Sequence, residues 1–140
     1  MIPRRERVGH GDRLGRFART PDSLVTRVAS EAFVRSAEAP WETTADGVRR
    51  QILGHGEDLM MVRVDFDAGA VGSLHHHPHR QVSYVASGRF DVTVDGKQET
   101  LVAGDCFFAA SSLPHEVVAR EAGTLIDVFT PRREEFLARR

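Results

Sequence analysis

From about Phe33 onward, apolar and polar positions alternate in short runs: "VRRQILG", "LMMVRVDFDAG", "QVSYVASG", "RFDVTVDG", "QETLVAG", "DCFFAA", "HEVVAR" and "GTLIDVFTP". A period of two puts successive side chains on opposite faces of a strand. Many short strands of this kind, roughly ten residues apart and parted by turn residues, predict an all-β sandwich or barrel. The clearest hairpin is "RFDVTVDGKQETLVAG". There Phe90, Val92 and Val94 alternate with polar neighbours, and Asp95-Gly96 supplies a tight turn. Tyr84, Phe90, Phe107 and Phe108 read as barrel core, and Cys106 as a small buried hydrophobe. Only the end, "RREEFLARR", reads as helix again.

The first thirty residues break this texture. Arg4, Arg5, Arg7, Arg13, Arg16, Arg19 and Arg27 outnumber Glu6, Asp12 and Asp22, and Gly9, Gly11 and Gly15 interrupt any long helix. "TPDSLVTRVASEAF" has a helix start, with Thr20 as N-cap, Pro21 at the first helical position and Asp22 in the first turn. The expected organisation is an arm with a short helix over residues 1–32 and a barrel domain over 33–140. The 140 residues suffice for one domain with a real core. A formal charge of −1 argues against a protein built to bind nucleic acid. No apolar run approaches the ~18 residues of a membrane helix, so no membrane partner is expected. The single Cys106 cannot form an internal disulfide, and a cytoplasmic location is the expectation.

Against this background stands "GAVGSLHHHPHRQVSYVASG", residues 69–88, with four histidines in five positions. In a strand, His75 and His77 share a face and can converge on one metal ion, whereas His76 points away. Gln81 offers an amide oxygen as a further ligand, and His79 is the alternative if Pro78 shifts the register. A second segment must complete the sphere, and His115 in "GDCFFAASSLPHEV" is the candidate. Imidazole suits several divalent transition metals, among them Zn, Ni, Mn and Fe.

These residues carry a family resemblance. Gly69, His75, His77, Gln81 and Gly88 fill the places of the first cupin motif in order, and Gly104, Asp105, Pro114 and His115 are similar to the second. Ala110 and Ser112 stand where that motif usually has proline and glycine, and no asparagine follows four residues after His115. The resemblance implies a double-stranded β-helix, a jelly-roll barrel of about eight strands, with a metal in its mouth. Together, "PWETTADGVRRQILG", the histidine segment and "LIDVFTPRREEFL" resemble the KdgF-type cupins of pectin and alginate breakdown. Gln81 departs from the glutamate common in cupins, and the neutral amide leaves the site one charge less negative.

By this resemblance the substrate is a small anionic sugar acid, a 4,5-unsaturated uronate released by polysaccharide lyases. The product is the linear 4-deoxy-5-keto uronate, which makes the enzyme an isomerase. Asp127, mid-strand between apolar neighbours, is the expected general acid/base, since partial burial raises its pKa. Arg133, in preference to Arg132, is the expected carboxylate anchor, and Phe129 an apolar wall. Arg63 and Gln51 are possible pocket-lining residues. An Fe(II)-dependent cupin dioxygenase and a non-catalytic metal or sugar-acid binding module are the alternatives, because three histidines with an open position suit oxygen chemistry equally well. A homodimer is expected to cover exposed sheet edges, with residues 21–33 crossing to the partner.

Overall fold

The computed structural model describes residues 29–138. The arginine-rich stretch and the helix expected from Thr20 lie outside them. The strands are β1 (Trp41–Ala45), β2 (Val48–His55), β3 (Met60–Phe66), β4 (Val71–His75), β5 (Arg80–Val94), β6 (Lys97–Val102), β7 (Cys106–Ala109) and β8 (His115–Thr130). One helical turn, α1 (Glu134–Leu137), follows. No described helix is long and apolar enough to cross a membrane.

Two strands of 15 and 16 residues, β5 and β8, form the spine. They pair antiparallel from Arg80↔Thr130 to Val94↔His115. The other edge of β8 is covered by β4 near its start and by β3 further on. The other edge of β5 is covered first by β7 and then by β6. Each long strand thus runs through two layers, β1-β2-β3-β8-β5-β7 and β4-β8-β5-β6. The layers bend over one another, and Phe66 of one meets Phe90 of the other edge-to-face, 5.3 Å between ring centres.

The bend falls where both strands lack side chains. A Cβ on Gly123 would lie 2.2 Å from the Ser87 carbonyl oxygen, and one on Gly88 2.7 Å from the Gly123 Cα. Register shifts between Val85 and Phe90 accompany the bend. They reverse the phase of the alternation, so that Gln81, Ser83 and Val85 face inward before it and Phe90 and Val92 after it. The β5–β6 hairpin turns at Asp95-Gly96 with φ of 50° and 80°, the signature of a type I′ turn.

Phe90 and Phe107 are core residues, as expected. Tyr84 and Phe108 are not. They face outward, because Gln81 and Ser83 take the inward positions of β5 and Phe107 and Ala109 those of β7. Cys106 is exposed for the same reason of parity. Residues 30–39 lie along β2: Ser30 exchanges hydrogen bonds with the His55 backbone, and the Gln51 amide donates to the carbonyls of Ser36 (2.6 Å) and Ala39 (2.9 Å).

Candidate metal centre

β4 ends at His75 and β8 begins at His115, and the two residues pair in register. His77 lies in the loop before β5 rather than on a strand, so a loop and not a shared strand face brings it beside His75. The backbone N–H of Ser112 donates to the His77 carbonyl at 2.7 Å and ties this loop to the one that leads to His115. Ser112 holds φ at +63°, so the chain keeps a left-handed turn at the place where glycine is usual.

One ligand nitrogen from each of His75, His77 and His115 lies within 4.8 Å of the others. All three rings are oriented alike. Nδ1 of His75 donates to the Ser73 carbonyl (2.7 Å), Nδ1 of His77 to that of His79 (3.0 Å), and Nδ1 of His115 to that of Leu113 (2.9 Å). Such backbone bonds fix the tautomer and leave Nε2 with its lone pair for a metal. Burial holds the His77 pKa down to about 4, with help from the Arg133 charge and His115. Burial also lowers that of His115.

Two observations test whether the residues fit a cation. The His115 Nε2 is buried with no hydrogen-bond partner. Neutral His77 has one ring proton but faces two oxygens, the His79 carbonyl and Gln81 Oε1, each at 3.0 Å. With the proton on Nδ1, Nε2 and Oε1 are two lone-pair donors aimed at a shared point. Both features suit a divalent ion held by three imidazoles and an amide oxygen. His79 is outside the trio, and only its backbone carbonyl takes part.

A cavity of about 240 Å³ opens beside the histidines. Asp127, Phe129 and Arg133 line it with His75, Gln81 and His115, and Val62, Val64, Phe66 and Leu125 make its apolar wall. Asp127 faces the lumen between Leu125 and Phe129 on β8 and accepts a 2.6 Å hydrogen bond from Ser83. Burial pushes its pKa up to about 6, against the opposing pull of Ser83 and Arg133. The Arg133 guanidinium sits 5.1 Å from the ring centre of Phe129 and 4.4 Å from that of Phe136, and pairs with Glu135. Arg132 is turned away to Glu134. Neither Gln51 nor Arg63 lines the cavity. Gln51 anchors residues 36–39, and Arg63 pairs with Asp65.

Three lining or supporting residues were not singled out from sequence. Ser83 shares parity with Gln81, and Arg50 with the inward Val48 and Ile52, so both were within reach of a period-two reading. Phe136 had no such signal. It sits under Arg50, whose guanidinium is 3.7 Å from the ring centre and donates to Glu42 at 2.8 Å.

Residues 62–129 match the model of the cupin domain. The pectin degradation protein KdgF of Dickeya dadantii (strain 3937) is 45% identical over 102 residues, which are 71% of this chain and 93% of that protein. The chain belongs to the cupin family. Two solved structures extend the likeness to three dimensions. An RmlC-like cupin from Shewanella frigidimarina NCIMB 400 superimposes with a TM-score of 0.75 at 44% identity, covering 77% of this chain and 97% of that one. KdgF from Halomonas sp. gives 0.72 at 39% identity, covering 76% and 99%.

Proposed function

We propose that this cupin acts in pectin degradation by converting 4,5-unsaturated uronates to linear 4-deoxy-5-keto uronates, with a divalent metal held by His75, His77, His115 and Gln81. The observation that carries this reading is one shared cavity. Asp127, Arg133, Gln81 and two of the three histidines, His75 and His115, all line it. At about 240 Å³ it is smaller than the ~300 Å³ at which pockets for drug-sized ligands begin, which suits a single sugar acid. The likeness to two proteins named KdgF supports the same substrate class.

The reaction is an isomerisation. The anomeric hydroxyl loses its proton, the bond from C1 to the ring oxygen breaks, and an aldehyde and an enolate form. The enolate then takes that proton at C4 and becomes the 5-ketone. A metal in the site supplies positive charge against the negative charge that develops on the departing oxygen. Asp127 is suited to both proton steps. Its carboxylate takes the proton from the anomeric hydroxyl, and its acid form returns one to C4. Arg133 binds the substrate carboxylate in a charge-assisted pair, releasing Glu135. Phe129 holds the apolar side of the sugar against Asp127.

The test is incubation of purified protein with lyase-generated unsaturated uronate. Absorbance of the conjugated double bond should fall faster than it does spontaneously, with no uptake of oxygen. Oxygen uptake would instead mark a dioxygenase, and an unchanged spontaneous rate with metal-loaded protein overturns the reading. His77→Ala protein should lose its metal, as measured by elemental analysis.

A further inference from the structure

Ser83 is fully buried on β5, two residues after Gln81 and directly opposite Asp127 in the β5–β8 register. Its hydroxyl joins the two. Gln81 Nε2 lies 2.8 Å from Ser83 Oγ, and Ser83 Oγ lies 2.6 Å from Asp127 Oδ1. A hydroxyl has one proton to give. Given to the Asp127 carboxylate, that proton is no longer available to Gln81, and the oxygen can only accept from the amide nitrogen. The far end of the amide is then its oxygen, 3.0 Å from His77 Nε2.

This direction matters because the two ends of a glutamine amide have nearly the same shape. Packing alone cannot choose between them. Turned over, Gln81 would present an NH₂ group, which has no lone pair for a cation. We infer that Ser83 is a positioning residue: its single hydroxyl locks the Gln81 amide with oxygen towards the histidines and ties that ligand to Asp127. The inference rests on the metal reading above and adds to it a cause for the orientation of the fourth ligand. Asp127 so acquires a second task, that of keeping the Ser83 proton away from Gln81.

Cobalt(II) binding to the purified chain tests this without turnover, by chelator competition and by the visible absorption of the bound ion. Ser83→Ala should weaken cobalt binding about 10–100-fold, the usual cost of removing a partner of a metal ligand, and should change the absorption bands. Ser83→Thr keeps the hydroxyl and should bind cobalt at the wild-type level with wild-type bands. A role in packing alone predicts the reverse order, because the buried site tolerates a smaller side chain better than an added methyl. Should Ser83→Ala not fold, Asp127 gives the same answer. Asp127→Asn retains an oxygen acceptor and should leave cobalt binding intact. Asp127→Leu frees the hydroxyl to donate to the Gln81 oxygen and should weaken cobalt binding about tenfold or more. Wild-type affinity and spectrum in Ser83→Ala, or in Asp127→Leu, overturn the inference and leave the metal reading standing. Absence of cobalt binding by the wild-type chain overturns both.

Discussion

Asp127 carries a cost as well as a proposed chemistry. Its carboxyl loses a proton near pH 6 in the folded, metal-free chain, against an ordinary value of 3.8. Between those values the folded state holds the extra proton, so stability falls as pH rises from about 3.8 to about 6 and stays lower above. Asp127→Asn escapes this loss. It should melt a few degrees higher than wild type at pH 7.5, with a gain that shrinks towards pH 4, while turnover drops about a hundredfold or more. A wild-type rate in the Asp127→Asn protein would leave Asp127 without a catalytic role. Arg133→Ala should act differently. It would remove the proposed carboxylate anchor, present in both ground and transition states, so KM should rise much more than kcat falls in steady-state kinetics. Ser112 is a third case, a serine in a left-handed turn. Ser112→Gly should gain about 0.5–1 kcal/mol in denaturant melts, the strain relieved minus the entropy lost, because the Ser112 N–H to His77 needs no side chain.

At the scale of elements, alternation and turn chemistry carried most of the fold. The Asp95-Gly96 hairpin, the inward row of Phe90 and Val92, and Asp127 between Leu125 and Phe129 were all legible in the sequence. So was the gathering of His75, His77 and His115 beside Gln81, since their spacing is that of a known motif. Tyr84 and Phe108 were not. Gln81 and Ser83 hold the inward positions around Tyr84, and Phe107 and Ala109 those around Phe108, so parity turns both large residues outward although hydrophobicity alone points the other way. The loop position of His77 was hidden by the strand-like run around it. The bend was hidden too, because Gly88 has a motif place but its partner Gly123 has none. These glycines should differ sharply from those in open turns. Gly123→Ala drives a methyl into the Ser87 carbonyl and should cost more than the ~1–3 kcal/mol typical of overpacking. Gly104→Ala meets empty space at φ +95° and should cost only backbone strain, about 1–2 kcal/mol, in the same thermal melts.

Across the whole molecule, the outward apolar residues form a register. Met61, Val128, Val82 and Phe108 are cross-strand neighbours on β3, β8, β5 and β7, with Ile126, Tyr84 and Cys106 in the next row. Phe108, Tyr84, Val82 and Met61 are each 41–57% exposed, so the face is a continuous apolar surface among the described residues. A homodimer that covers it should appear by light scattering at tens of micromolar, and Tyr84→Arg with Phe108→Glu should yield a monomer that still binds metal. Phe33, 89% exposed, is the described end of the segment expected to cross to the partner. The spine of two long strands also has a bearing on how the protein is made. His75, His77 and Gln81 are synthesised well before His115, and Asp127 and Arg133 come later still. A nascent chain therefore exposes three of the four proposed ligands while its barrel is open, and gains the fourth only when β8 zips along β5. Until then a passing ion meets three ligands at most and can leave again. On the proposed metal reading, the choice of metal would be deferred to the moment of barrel closure, when the concentrations of free ions around the new chain would decide which one is enclosed.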